Sequence, residues 1–263
     1  MSDAAAGVTL NGLRCNKCDE HIMKQYQSVV RPIVCCRGLD VYTGENFFKQ
    51  KKAGNLLKVL ARHQVGGATG AIVYSLDGLL HYDIATEICS LGLELTIGGG
   101  IEDMDDAGQM LRAGAAGIAL NSSLTESDLL EEASAKWGNV SAVIDVENGI
   151  VMREKRLLQM ISVSPSVWAH RLQTRGASEI ILQSVDREST LKGYEHGLIR
   201  SVADAVRIPV CAVGGCNGLD DAVQGYFYSG AGSLGIGRLF SEGLLRPGDV
   251  ASELMNKGFT CAS

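Results

Sequence analysis

One stretch of this chain is written twice. Residues 95–124, LTIGGGIEDMDDAGQMLRAGAAGIALNSSL, recur in altered form as residues 211–240, CAVGGCNGLDDAVQGYFYSGAGSLGIGRLF. Each copy reads as an apolar run, a glycine turn, an amphipathic stretch, a second apolar run and a small polar turn. Gly99-Gly100 matches Gly214-Gly215 at a separation of 115, and Asp105-Asp106-Ala107 matches Asp220-Asp221-Ala222 at the same spacing. Gly114-Ala115 matches Gly230-Ala231 at 116, one residue having been added between helix and strand. Asp40 pairs with Asp145 and Asp77 with Asp186, at separations of 105 and 109. All four quarter-units of one half therefore recur in the other, which restricts the chain to folds made of two equivalent halves.

The rest of the chain supplies the alternation such a fold needs. Apolar runs at 33–36, 71–76, 93–97, 117–120, 141–144, 179–182, 210–213 and 234–236 are short and continuous, as expected of parallel strands buried on both faces. Helical stretches are predicted at 56–63, 84–91, 126–136 and 198–206. Another runs from Ser164-Pro165 to Arg175, where serine at the cap and proline at the first position mark a helix start. Eight strand–helix alternations in 263 residues predict an α/β fold, a (βα)8 TIM barrel built from two (βα)4 half-barrels. The open doubly wound sheet is the alternative, but it has no need of the twofold repeat. The domain reading is an N-terminal extension over residues 1–30 and a barrel over 31–263.

Composition narrows the class. Net charge is −6, with Lys and Arg scattered, which argues against a nucleic-acid surface. No apolar run reaches membrane-spanning length, and the N-terminus lacks the basic and apolar regions of a secretory signal. The eight cysteines then read as reduced thiols in a cytoplasmic protein. Cys35 and Cys36 are neighbours in a strand and point to opposite faces, so a disulfide between them would be strained. Cys15, Cys18 and His21 have the spacing of half a zinc site. A second ligand pair at usable spacing is not evident, so the cluster reads as part of a solvated arm and no metal is expected.

In a barrel of this kind the chemistry lies at the carboxyl ends of the strands. The residues expected there are Asp40, Gly99, Gly100, Asn121, Ser122, Asp145, Ser184, Asp186, Gly214, Gly215, Gly237 and Arg238, with Asp77 a weaker candidate. The glycine turns let backbone N–H groups approach an anion, and the helix that follows adds partial positive charge. Two such turns on opposite sides of one mouth imply an elongated substrate with a phosphate at each end. The alternative is that the glycines only permit tight turns. Asp40 and Asp145, related by the repeat, are expected to face each other as an acid/base pair, the alternative being that each caps a strand end. Arg238 would pair with the second phosphate.

LTIGGGI, ALNSSL, AVIDVENG, ILQSVDREST, LKGYE, CAVGG and GIGRLF together resemble the phosphoribosyl-substrate barrels of histidine biosynthesis, over roughly Arg31 to the C-terminus. That family comprises the cyclase subunit of imidazole-glycerol-phosphate synthase and the phosphoribosylformimino-aminoimidazole carboxamide ribotide isomerase. The resemblance implies a bis-phosphorylated ribosyl-aminoimidazole substrate, no cofactor, Asp40 and Asp145 as acid/base pair, and Gly100, Ser122, Gly215 and Gly237-Arg238 at the phosphates. Asn121, Ser184 to Arg187 and Gly193-Tyr194 look more like the cyclase, and Gly237 to Gly243 more like the isomerase. The cyclase reading also implies a glutaminase subunit that supplies ammonia through a charged gate at the amino ends of the strands. Of that gate Arg31 and Glu179 are present, whereas Ala71 and Gly117 stand at charged positions. Arg37-Gly38 precedes Asp40 as an insertion, the loops after the first two strands are short, and Glu188-Ser189 replaces an Asp-Gly pair. These departures leave room for a paralogue with a changed substrate, or for a non-catalytic, phosphate-ligand-binding or regulatory barrel.

Overall fold

A computed structural model describes residues 29–44, 50–121, 128–152 and 163–261, with side chains described to residue 258. Cys15, Cys18, His21 and Ser122 lie outside the described residues, as do nearly all of the predicted extension and the stretch 153–162.

Eight parallel strands close on themselves. In chain order the strands are β1 (Val30–Arg37), β2 (Asp40–Thr43), β3 (Lys51–Asn55), β4 (Gly70–Ser75), β5 (Glu94–Gly98), β6 (Gly117–Asn121), β7 (Val140–Glu147), β8 (Ile150–Val151), β9 (Glu179–Ser184), β10 (Val210–Val213) and β11 (Ser233–Ile236). The barrel runs β1-β4-β5-β6-β7-β9-β10-β11, and β11 returns to β1 through Val30↔Leu234 and Pro32↔Ile236. The helices are α1 (Leu56–Val65), α2 (Tyr82–Cys89), α3 (Met104–Arg112), α4 (Leu129–Trp137), α5 (Pro165–Thr174), α6 (His196–Ala203), α7 (Leu219–Val223), α8 (Arg238–Ser241) and α9 (Pro247–Cys261). The predicted barrel is therefore present, and Ser164 caps α5 through Val167 N at 3.3 Å.

Two features were not expected. After β1 the chain turns at Gly38-Leu39 and runs back as β2, with Arg37 opposite Asp40 and Cys35 opposite Tyr42. β3 then adds to β2 and leads into α1, capped by Asn55. Glycine at φ 52° makes the first turn, and an insertion read as lengthening a strand instead starts a hairpin. β8 forms a smaller hairpin on β7, whose turn places Asn148 at φ 52°.

Because side chains alternate along a strand, each barrel strand presents one set inward and one outward. Ile33, Ile72, Ala119, Val143, Ile181, Cys211 and Val213 form a separate apolar cluster inside the barrel, while their neighbours join the larger core beneath the helices. At the amino ends the inward layer turns polar. Arg31 Nη1 lies 2.8 and 2.9 Å from the two Glu179 oxygens, and Ser141 and Ser233 also donate to that carboxylate. Breaking a buried pair of this kind leaves an uncompensated charge and costs about 3–5 kcal/mol. Ala71 is buried among the outward residues, so Gly70, not Ala71, occupies the inward position beside this pair.

The repeat has a structural meaning at its acids. Asp106 Oδ2 accepts the N–H of Glu102, and Asp221 Oδ2 accepts that of Asn217, the same four-residue reach in both halves. Asp221 also takes the N–H of Tyr194 and the Nε2 of His196. The duplicated Asp-Asp-Ala thus fastens each glycine turn to the helix that follows it.

His63, on α1, is 2% exposed and packs 6.2 Å from the Phe240 ring, its Nε2 without a partner among the described residues. Burial, and secondarily Arg62, pushes its pKa down to about 4. The folded state thus holds the neutral ring, whereas the unfolded chain protonates near pH 6.5. Stability from this residue is complete above pH 6.5 and falls, by up to about 1.4 kcal/mol per pH unit, as the pH drops toward 4. Urea unfolding of His63→Leu across that window is expected to show a flatter acid limb than the parent.

Candidate active site at the carboxyl ends of the strands

Two cavities open at opposite ends of the barrel. The amino-end one, about 270 Å³, is lined by Arg31, Gly70, Glu94, Thr96, Gly117, Ser141 and Glu179, and its central charges neutralise each other. The carboxyl-end one, about 200 Å³, is lined by Ile33, Cys35, Tyr74, Ser75, Gly99, Ala119, Asn121, Val143, Asp145, Gln183 and Glu188 among others. The second is smaller, but it holds two carboxylates with no cation among the described residues of its lining, an arrangement suited to acid–base chemistry.

Asp145 is the inward residue near the end of β7. Burial raises its pKa, opposed by a 3.3 Å hydrogen bond from Asn121 Nδ2 to Oδ2. Glu188 follows the 3-10 turn Val185–Arg187 at the end of β9. Burial raises its pKa too, and the field of Asp145 adds to the rise. Gln183 Nε2 donates to Glu188 Oε2 at 2.5 Å and Ser189 Oγ to Oε1 at 3.0 Å. The Tyr74 ring lies against Gly98, where an added Cβ would meet Cε1 at 2.9 Å, and its buried hydroxyl has no partner among the described residues. Burial holds that phenol well above its ordinary range and likewise pushes up the Cys35 thiol, so neither is an anion at neutral pH.

Asp40 does not belong to this cavity. It begins β2, beyond the turn that ends β1, and its 41% exposed carboxylate pairs with Lys52 Nζ at 2.7 Å. The expected Asp40–Asp145 confrontation is corrected by parity. Arg31, Ile33 and Cys35 point inward on β1, so the next inward position is Arg37, which stacks on Tyr42 at 4.9 Å. The acid that shares the cavity with Asp145 is Glu188, which follows β9, the strand paired with β7 in the same half of the barrel. Sequence reading noted it only as a departure; its signal was a carboxylate five residues after Gln183, the last inward-facing residue of β9.

The glycine turns also have a packing cause. A Cβ on Gly99 would lie 2.1 Å from Ser75 O, and one on Gly214 2.6 Å from Ser184 O. At the next position, Gly100 meets the backbone of Gly78 and Leu79, and Gly215 that of Gly193. All four have φ between 67° and 102°. Each turn is pressed against the end of the preceding barrel strand, identically in both halves. Gly214, Gly215, Gly237 and Arg238 line a small cleft with Glu188, Ser189 and Leu191. Arg238 Nη1 donates to Ser189 O at 2.6 Å, and its Nε lies 3.3 Å from Glu242. Ser184 donates to Glu195, and Asp186 accepts the N–H of Asn148 at 2.6 Å. These two residues are engaged in holding loops, the second by clamping the β7–β8 turn. Asp77, the weaker candidate, accepts from Ser75 Oγ at 3.2 Å.

Alanine at Gly99 or Gly214 is expected to cost about 3 kcal/mol or more, since it adds both a left-handed Cβ and a backbone collision. Gly38→Ala, with φ 52° and nothing within 4 Å of its Cβ, is expected to cost only about 1 kcal/mol. Chemical denaturation of the three variants measures the difference.

Comparison with known proteins agrees with the barrel fold. A family model described as "Histidine biosynthesis protein" matches residues 36–246. The imidazole glycerol phosphate synthase subunit HisF of Saccharolobus solfataricus is 27% identical over 232 residues, covering 83% of this chain and 92% of the relative. With the family model spanning most of its length, this chain belongs to the histidine biosynthesis protein family.

Proposed function

We propose that this barrel is a cyclase-like enzyme of the imidazole-glycerol-phosphate synthase type, acting on a bis-phosphorylated ribosyl-aminoimidazole by acid–base catalysis. The observation that carries this reading is the pairing of Asp145 and Glu188 on one carboxyl-end cavity beside a glycine turn. Asp145, with the Asn121 amide on its carboxylate, is assigned the base. Glu188, raised by burial against the opposing donors Ser189 and Gln183, with the charge of Asp145 adding to the rise, is assigned the acid. Two carboxyl groups on one cavity, one ionised and one protonated, would move a proton onto one substrate atom and off another. Ring closure with loss of water needs such a transfer; so does an Amadori-type ring opening, the isomerase alternative.

Gly214, Gly215 and Gly237 would present backbone N–H groups to one phosphate, with Arg238 swinging from Ser189 O as its cation. Gly99 and Gly100 would serve the other end together with Ser122. A glutaminase subunit would dock at the amino-end cavity, where Arg31 and Glu179 remain of the charged set.

Asp145→Asn and Glu188→Gln are each expected to lower kcat/KM by about 10²-fold or more, as loss of a general acid or base does. Asp40→Asn is expected to stay within about threefold, because its carboxylate faces Lys52 outside the cavity. Turnover is measured with the cyclase and isomerase ribotide substrates, the former with ammonium salt and with glutamine plus a glutaminase subunit. Absence of turnover on both, or full activity in both cavity variants, sinks the enzyme reading. The non-catalytic barrel would then hold, and binding of the same bis-phosphates would test it.

A further inference from the structure

Glu188 is followed by a residue that local backbone energetics disfavours. Ser189 sits at φ 55° and Leu191 at φ 56°, two non-glycine residues in the left-handed region within three positions. Such conformations persist only where their surroundings over-determine them, and they gather at functional sites. A glycine would meet the backbone requirement at Ser189 without strain, so the side chain there needs a cause.

The contacts supply one. Ser189 is 8% exposed. Its carbonyl accepts Arg238 Nη1 at 2.6 Å, which pins the peptide from the start of α8, the helix after β11. Its hydroxyl donates to Glu188 Oε1 at 3.0 Å, while Gln183 Nε2 donates to Oε2. Each carboxylate oxygen of Glu188 thus has its own donor, one from the barrel wall and one from the strained turn. With Oε1 released, the carboxyl group could rotate about its last bond; with both held, it stays aimed into the cavity that Asp145 shares.

We propose that Ser189 is a positioning residue, held in left-handed backbone by Arg238 so that its hydroxyl fixes the Glu188 carboxyl beside Asp145. The proposal rests on the reading of Glu188 as the catalytic acid, but its central claim concerns one hydrogen bond and can be measured without substrate. Arg238 acquires a second task by the same geometry. A phosphate that drew its guanidinium from Ser189 O would loosen the clamp on Glu188, so that binding of the anion and the setting of the acid become linked.

The test uses the full chain and the variants Ser189→Gly and Ser189→Ala. Carboxyl ¹³C NMR titration reads Glu188 directly. A donor to the charged form lowers a carboxyl pKa, so both variants are expected to move its midpoint up by about half a unit or more. Ser189→Gly, freed of strain, is expected to melt about 2–4 °C above the parent, and Ser189→Ala not above it. Where turnover is present, both are expected to lose several-fold in kcat with KM nearly unchanged, and to show a displaced alkaline limb in the pH profile. A Glu188 titration unmoved in both variants overturns the proposal, whatever the activity, and so does a glycine variant that melts below the parent. A shifted titration without turnover of any ribotide upholds the positioning contact and counts against the enzyme reading instead.

Discussion

The return of β11 onto β1 is the constraint from which the rest follows. An open sheet of these strands would leave Arg31 and Glu179 five strands apart. Closure places them within 3 Å of each other, together with Ser141 and Ser233. It also converts a strand's alternation into an inside and an outside. Once Arg31 is inside, Ile33 and Cys35 are inside as well, and the same count along β7 and β9 brings Asp145 and Gln183 to the opposite rim. The carboxyl-end cavity is in this sense the far end of a column whose base is an ion pair.

The column is polar at both ends and apolar between them. Its middle is filled by the isoleucines, valines and Cys211 of the inner cluster, which shields the carboxylates at the rim from the water at the base. Burial there raises the pKa of both Asp145 and Glu188, and the donors Asn121, Gln183 and Ser189 oppose the rise. Packing and chemistry are here one property: the same burial that fills the barrel tunes the acids above it.

The repeat was legible before any coordinates, and so were the eight strands, because continuous apolar runs between helical stretches leave little else for a chain to do. The glycine pairs were legible as special positions. That their demand comes in part from the pressing of each turn on the preceding strand end was not, since Ser75 and Ser184 are distant in sequence from the glycines they touch. Asp40 was misplaced because one added turn residue pair changes which residues count as rim. Sequence symmetry matched it to Asp145, but Gly38 bends the chain away before Asp40 is reached, and Lys52 on the added β3 takes its charge. Glu188 was seen only as a substitution, because a turn residue has no period from which its direction can be read.

The sequence by itself determined the fold, the doubling and the neighbourhood of the site, since hydrophobic periodicity and turn chemistry act over short stretches and survive being read one segment at a time. Only the tertiary structure decided which carboxylate faces Asp145, that Ser184 and Asp186 hold loops, and that Ser189 carries a strained backbone. Those outcomes depend on barrel closure and on hydrogen bonds between distant segments, and a linear chain does not state its own partners.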